Sequence, residues 1–244
     1  MEPHLSQLAT CWTLINQAHD AEAPAEIMRA ARTQLLQRYE PVVRCYLGKL
    51  LRSLPNHGEA VEECVQTFAL RFLSGNFCRA DRSRGRFRDY LKTAVRNLAF
   101  SYQRADRVRS RPLEEDYEAA DENPCSSEEE AEFLKVWRDE LFNRAFRALA
   151  AEEEQSGKKL HLVLRMRRDY PDLRSAEMAE RLSAVVGKPV DAGWVRKRLL
   201  LARERFTRLL LREVADSLSQ PTRERMEDEL LALGLLDYCR AAFK

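Results

Sequence analysis

An all-α fold is what this sequence predicts: two small helical domains joined by a flexible acidic linker. Three observations carry that expectation. Only eight of the 244 residues are Gly, where ordinary usage gives about 17, so turns that need positive φ are scarce. Ala, Leu, Glu and Arg are abundant, a composition suited to helices rather than to a sandwich or barrel. Apolar residues recur at helical spacing almost throughout. The low Gly content also argues against a doubly wound nucleotide-binding fold, whose phosphate turns need glycine clusters.

Residues 1–23 read as an N-terminal flank. They lack a basic segment followed by an apolar run, so no signal peptide is expected. A first domain spans 24–111. Pro24 suits the first turn of a helix, and Ile27, Ala31, Leu35, Val42, Tyr46 and Leu50 form its stripe, with Pro41 expected to kink or break it. A second helix follows Pro55-Asn56-His57-Gly58, with Val61, Cys64, Val65, Phe68 and Phe72 on one face. A third carries Phe87, Leu91, Ala94, Val95, Leu98 and Tyr102. These three stripes suffice for one shared core.

The charge then changes abruptly. Between Arg79 and Arg111 ten Arg and one Lys face three Asp, a net of +8; Pro112 to Glu132 holds ten acids and no Lys or Arg, a net of −10. With Pro112, Pro124, a Ser pair and little periodicity, 112–132 reads as the acidic linker. Periodicity resumes at Phe133, Trp137, Leu141 and Ala145, opening a second domain over 133–218. Within it a short helix from Ser175, a candidate N-cap, to Leu182 is followed by a turn with Gly187, Pro189 and Gly193. A long helix from about Trp194 to about Leu218 comes next, a helix-turn-helix pattern. Its inward face is Val195, Leu199, Ala202, Phe206, Leu209 and Val214; its outward face sets seven Lys and Arg against Glu204, a net of +6. Residues 219–244 form a C-terminal helical extension, with a helix expected over about Thr222 to Tyr238.

Charges interrupt every apolar stretch well before the roughly 18 residues a membrane span needs, so no membrane association and a cytoplasmic location are expected. The six Cys are scattered with no CxxC pair, and the four His are equally dispersed, so neither metal nor cofactor is expected. No phosphate loop, nucleophile elbow or HExxH occurs, and no acids, bases or metal ligands converge; an enzyme is not expected. Clustered cations on outward helix faces are the electrostatic footprint of phosphate-backbone binding.

The stretch Glu62-Glu63-Cys64-Val65-Gln66-Thr67-Phe68 resembles the Gln-x-Phe helix of extracytoplasmic-function sigma factors. Arg84-Gly85-Arg86-Phe87-Arg88-Asp89-Tyr90-Leu91 with Arg96-Asn97-Leu98-Ala99 resembles their promoter-melting domain. Ala176-Glu177-Met178-Ala179-Glu180-Arg181-Leu182, Gly193-Trp194-Val195-Arg196-Lys197-Arg198-Leu199 and Ala202-Arg203-Glu204-Arg205-Phe206 resemble their C-terminal helix-turn-helix. The set covers about Thr33 to Val214 in the family's order. Departures are Glu63 for the usual Asp, Trp194 for a small Thr, Leu201 for an Arg, and about six extra residues around Ala184 to Pro189, expected to lengthen a helix or enlarge the turn.

The resemblance implies core RNA polymerase and promoter DNA as partners, together with an anti-sigma or other regulatory protein. It places Glu62, Glu63, Gln66 and Arg71 against the polymerase clamp helices, with Phe68 assigned to the core. The loop from Ser74 to Arg86 corresponds to the one that captures an unstacked base, and the helix after it to the one that holds the opened strand. Phe77, Phe87 and Tyr90 offer stacking faces, although Phe87 is assigned to the core. Arg84, Arg86, Arg88, Lys92 and Arg96 are candidates to neutralise phosphates, Arg104 to position the strand, and Asn97 and Tyr102 suit either core or contact. In the second domain Arg196, Lys197 and Arg198 would meet the major groove, with Trp194 and Arg203 on the same helix and Ser175 at a phosphate-holding helix start. Arg205, Arg208 and Arg212 read as a solvated face. The linker reads as a solvated tether, although its charge also permits folding back on the basic segments. Two other readings stand beside this one: a helix-turn-helix regulator that acts without being a polymerase subunit, and a helical RNA-binding protein.

Overall fold

The computed structural model describes residues 14–15, 17–18, 23–74, 86–109 and 126–243, and among them there is helix and no strand. The helices are α1 (Ala25–Leu50), α2 (His57–Leu73), α3 (Phe87–Arg109), α4 (Ser127–Ser156), α5 (Leu160–Asp169), α6 (Ser175–Val186), α7 (Ala192–Ser217), α8 (Arg223–Ala232) and α9 (Leu236–Cys239). They divide into two compact units. One holds the described residues up to Glu140 with Ala215–Met226, the other Leu141–Val214 with Glu227–Lys244.

In the first unit the expected stripes close on one another. Leu35, Tyr39, Tyr46 and Leu47 of α1, Phe68 of α2 and Phe87 and Leu91 of α3 are all essentially inaccessible to solvent. Burying a side chain of this size stabilises by roughly 1.5–3 kcal/mol. Ile27, placed in the stripe by its spacing, is instead 49% exposed. Pro41 does not break α1, which runs through it for 26 residues. A proline forfeits the bond to the carbonyl four residues earlier. Here Pro41 and Gln37 both lie on the solvent side, while Tyr39, Val42, Val43 and Tyr46 bury the opposite face.

α4 begins at Ser127, inside the segment read as linker, and residues 112–125 lie outside the described residues. Ser126 Oγ accepts the Glu129 N–H at 3.1 Å, and Glu128, Glu129 and Glu130 occupy the first turn, where the helix dipole favours negative charge. Phe133 and Trp137, expected to open the second domain, pack in the first unit. The Phe133 ring lies 4.9 Å from Tyr46, and Trp137 stacks on Tyr39 at 5.7 Å with 9° between planes. Periodicity identified the helix correctly, but it cannot say which partner a helix face meets.

The second unit is built on the later part of α4 with α5, α6 and α7. Leu162, Val163, Met178, Ala179, Leu182, Val195 and Leu199 form one buried cluster. Phe206 stacks on Phe142 at 5.8 Å and meets Phe146 edge-on at 6.1 Å. The inward face read for α7 is buried at every position named. The extra residues before Pro189 lengthen α6 to Val186; Gly187 then takes φ 75°, a left-handed cap that favours glycine. Asp191 Oδ1 accepts the Trp194 N–H at 2.6 Å and starts α7 at Ala192. The C-terminal helix is not continuous. Gly234 at φ 66° ends α8, with the Leu235 N–H reaching back to the Leu230 carbonyl at 2.8 Å.

Candidate nucleic-acid interface

Successive turns of α7 present Arg196, Leu200 and Arg203 to solvent, because Val195, Leu199, Ala202 and Phe206 take the opposite face into the core. Arg196 and Arg203 line a recess of about 500 Å³ together with Arg167, Ser175 and Leu200. Arg167 is shaped by the turn beside it. Its guanidinium donates to the Pro171 carbonyl at 2.9 Å and to the Leu173 carbonyl at 2.7 Å. Among the described residues no carboxylate pairs with Arg196 or Arg203. Three guanidinium groups and a helix start thus converge on one open recess, an arrangement suited to a phosphate or the edge of a base.

Ser175 lies at this rim but is not the cap. The helix begins at Ser175 as read, but its cap is Arg174, whose N–H donates to Glu177 Oε2 at 2.6 Å. Trp194, expected among the contacts, is half-buried against the α5–α6 cluster, with the Arg198 guanidinium 5.4 Å from its ring centroid. Both side chains are engaged in local structure. Lys197 is exposed one position beyond Arg196.

Beyond Arg203, Arg205 and Arg208 are compensated, while Arg212 is exposed as expected. Arg208 bonds Glu204 at 2.8 Å, and Arg205, expected to be solvated, is half-buried and bonds both carboxylate oxygens of Glu152 at 2.7 Å. That bidentate pair holds the Glu152 carboxyl below its ordinary range, the Arg205 hydrogen bonds outweighing partial burial. A depressed folded-state value contributes stability that is present above the unfolded value and lost as pH falls through the folded one. Glu152→Gln should therefore lower stability at neutral pH by at most about 1 kcal/mol, since both groups are about a third exposed. The difference from the parent should vanish in urea titrations well below pH 4; a difference that persists there contradicts the assignment.

The first unit carries a second set of cations on α3, mostly engaged. Arg84 and Phe77 lie outside the described residues. Arg86 is half-buried. Arg88, expected to face phosphate, is buried at 5% exposure with Asp89 at 3.8 Å, because it falls beside Leu91 and Val95 on the inward face. Lys92 pairs with Glu130, and Arg96 pairs with Glu129 at 3.2 Å while covering the Phe100 ring. Tyr102 is half-buried and accepts a bond from Asn56 Nδ2 at 3.3 Å. Phe87 is buried and Tyr90 half-buried. Asn97 and Arg104 are exposed.

On α2, Glu62, Glu63, Gln66 and Arg71 are exposed while Phe68 is buried, although Glu62 is already paired with Arg44. Sequence reading passed over Leu70 and Leu73, which are 69% and 39% exposed beside them. Leu70 is out of phase with the Val61–Val65–Phe68–Phe72 stripe, and that was the available signal. Arg167 was missed for want of any pattern, since only the fold brings it to the recess.

Among the described residues no group of His, Cys, Asp and Glu is arranged to hold a metal. Burial pushes the Cys64 and Cys239 thiols up to about 11, so neither is a thiolate at neutral pH. No helix among the described residues is long and apolar enough to cross a membrane. No protein-family model, curated protein or solved structure matches the chain.

Proposed function

We propose that this chain is a sigma factor, a protein that binds core RNA polymerase and directs promoter recognition, strand opening and transcription initiation. On this reading α6, the turn over 187–191 and α7 are a helix-turn-helix that reads duplex DNA upstream. α3 holds the opened strand, and the exposed side of α2 meets the polymerase, with Leu70 and Leu73 as apolar contacts beside Glu63 and Gln66. The observation that carries the reading is the exposed Arg196–Arg203 strip over an arginine-lined recess, on the helix where the ordered sequence resemblance places DNA contacts. It is a cytoplasmic, non-enzymatic role without cofactor, open to restraint by an anti-sigma or other regulatory protein.

Purified protein, core polymerase and fragments of the source genome test it directly. Transcripts should start at discrete sites only when protein and core enzyme are both present. A protein that neither binds core enzyme nor starts any transcript is not a sigma factor. That Lys92 and Arg96 are engaged whereas Arg196 and Arg203 have no carboxylate partner among the described residues favours one rival, a regulator in which α7 alone reads duplex DNA. Binding to a palindromic site without polymerase would support that rival.

A further inference from the structure

The last glutamates of the acidic run face basic residues of their own unit. Glu130 pairs with Lys92, Glu129 Oε2 accepts from Arg96 Nε at 3.2 Å, and Glu132 Oε1 lies 3.6 Å from both Lys49 Nζ and the Arg52 guanidinium. Three carboxylates on the opening turns of one helix thus meet four cations supplied by α1, the turn after it and α3. The helix is fixed in this register by Ser126 at its start and by Phe133 and Trp137 in the core. The side chains of Lys92 and Arg96 are left only 14% and 16% exposed.

A carboxylate tethered where a phosphate oxygen would bind competes at the effective concentration its tether sets. We infer that Glu129, Glu130 and Glu132 act as an internal phosphate mimic that covers the cationic face of α1 and α3 and is displaced when a nucleic-acid strand binds there. This rests on the proposed role of α3 and specifies how that site is regulated. Partly exposed pairs of this kind are individually weak. A strand offering several phosphates therefore displaces the carboxylates one at a time, without unseating the aromatic anchors. The sequence gives the reason such a cover is useful: a net +8 segment left open would bind any polyanion.

The test compares four full-length proteins by fluorescence anisotropy with a short labelled single-stranded DNA of mixed sequence, over a range of salt. They are the parent, Glu129→Gln/Glu130→Gln/Glu132→Gln, the same triple with Lys92→Gln and Arg96→Gln added, and a charge-matched control. The control, Glu26→Gln/Asp139→Asn/Glu224→Gln, removes three exposed acids elsewhere in the same unit. The triple variant should bind on the order of ten-fold tighter at low salt, with a salt slope steeper by about 0.7 for each phosphate newly engaged. The control should gain much less, and adding Lys92→Gln and Arg96→Gln should cancel the gain. Glu130→Gln alone should move in the same direction if the triple folds poorly. A triple variant no tighter than the control, while the parent binds, overturns the cover and leaves the proposed function standing. No binding by any of the four proteins at the lowest salt overturns both the cover and the assignment of α3 to the strand.

Discussion

Reversing charge at two adjacent positions, Arg196→Glu with Lys197→Glu, abolishes binding to upstream duplex promoter DNA and leaves binding to core polymerase intact; this is the expected result with the largest functional effect. Both side chains are exposed and Arg196 lines the arginine recess. Substitutions at such positions change folding stability little, usually within about 0.5 kcal/mol. Two lost contacts at about 1–3 kcal/mol each correspond to roughly thirty-fold to twenty-thousand-fold in affinity, before any repulsion from the new carboxylates. Gel shifts with duplex promoter fragments and co-purification with core enzyme read the two arms separately. Loss of core binding would mean that the roles of the two units are assigned the wrong way round. Unchanged duplex binding would remove α7 from the interface.

A milder variant separates positioning from readout. Arg203 sits two turns along from Arg196 at the far side of the same recess. A group there that touches only phosphate weakens all sequences alike and supplies about 0.9 of salt slope on duplex DNA. A change in sequence preference would instead assign Arg203 to a base edge.

The helix faces were legible because burial follows a local period. Val61, Cys64, Val65, Phe68 and Phe72 lie on one buried side of α2, and the inward face of α7 is buried at every position its spacing named. What local pattern could not supply was partnership across distance. Lys92 and Arg96 looked available in a segment of +8, yet their partners Glu130 and Glu129 stand 38 and 33 residues away. Glu128, Glu129, Glu130 and Glu132, which look like linker by composition, are helical because Phe133, Val136 and Trp137 bury the face behind them. Pro41 misled for a related reason: its lost hydrogen bond is a local penalty, outweighed by aromatic burial on the opposite side of the same helix. On α7 the charge count was right and its availability was not, since Arg205 and Arg208 are compensated and Arg196 and Arg203 are not.

Trp137→Ala is expected to be the most destabilising single substitution in the first unit. The side chain is 2% exposed, stacked on Tyr39 and 6.1 Å from Phe133, so truncation leaves a cavity between α1 and α4 that flat aromatic neighbours fill poorly. Loss of a buried Trp to Ala typically costs about 3–5 kcal/mol, a large share of a small unit's stability. Urea unfolding followed by circular dichroism should show the midpoint fall accordingly. Trp137→Phe separates the causes. The indole Nε1 has no hydrogen-bond partner among the described residues, so Phe forfeits only volume and should cost about 1–2 kcal/mol. If Phe proves as damaging as Ala, the indole N–H is satisfied in solution and the pocket is polar where the structure makes it apolar. If Ala costs under about 1 kcal/mol, the start of α4 is not packed in the first unit at all, and the glutamate cover over Lys92 and Arg96 loses its anchor with it.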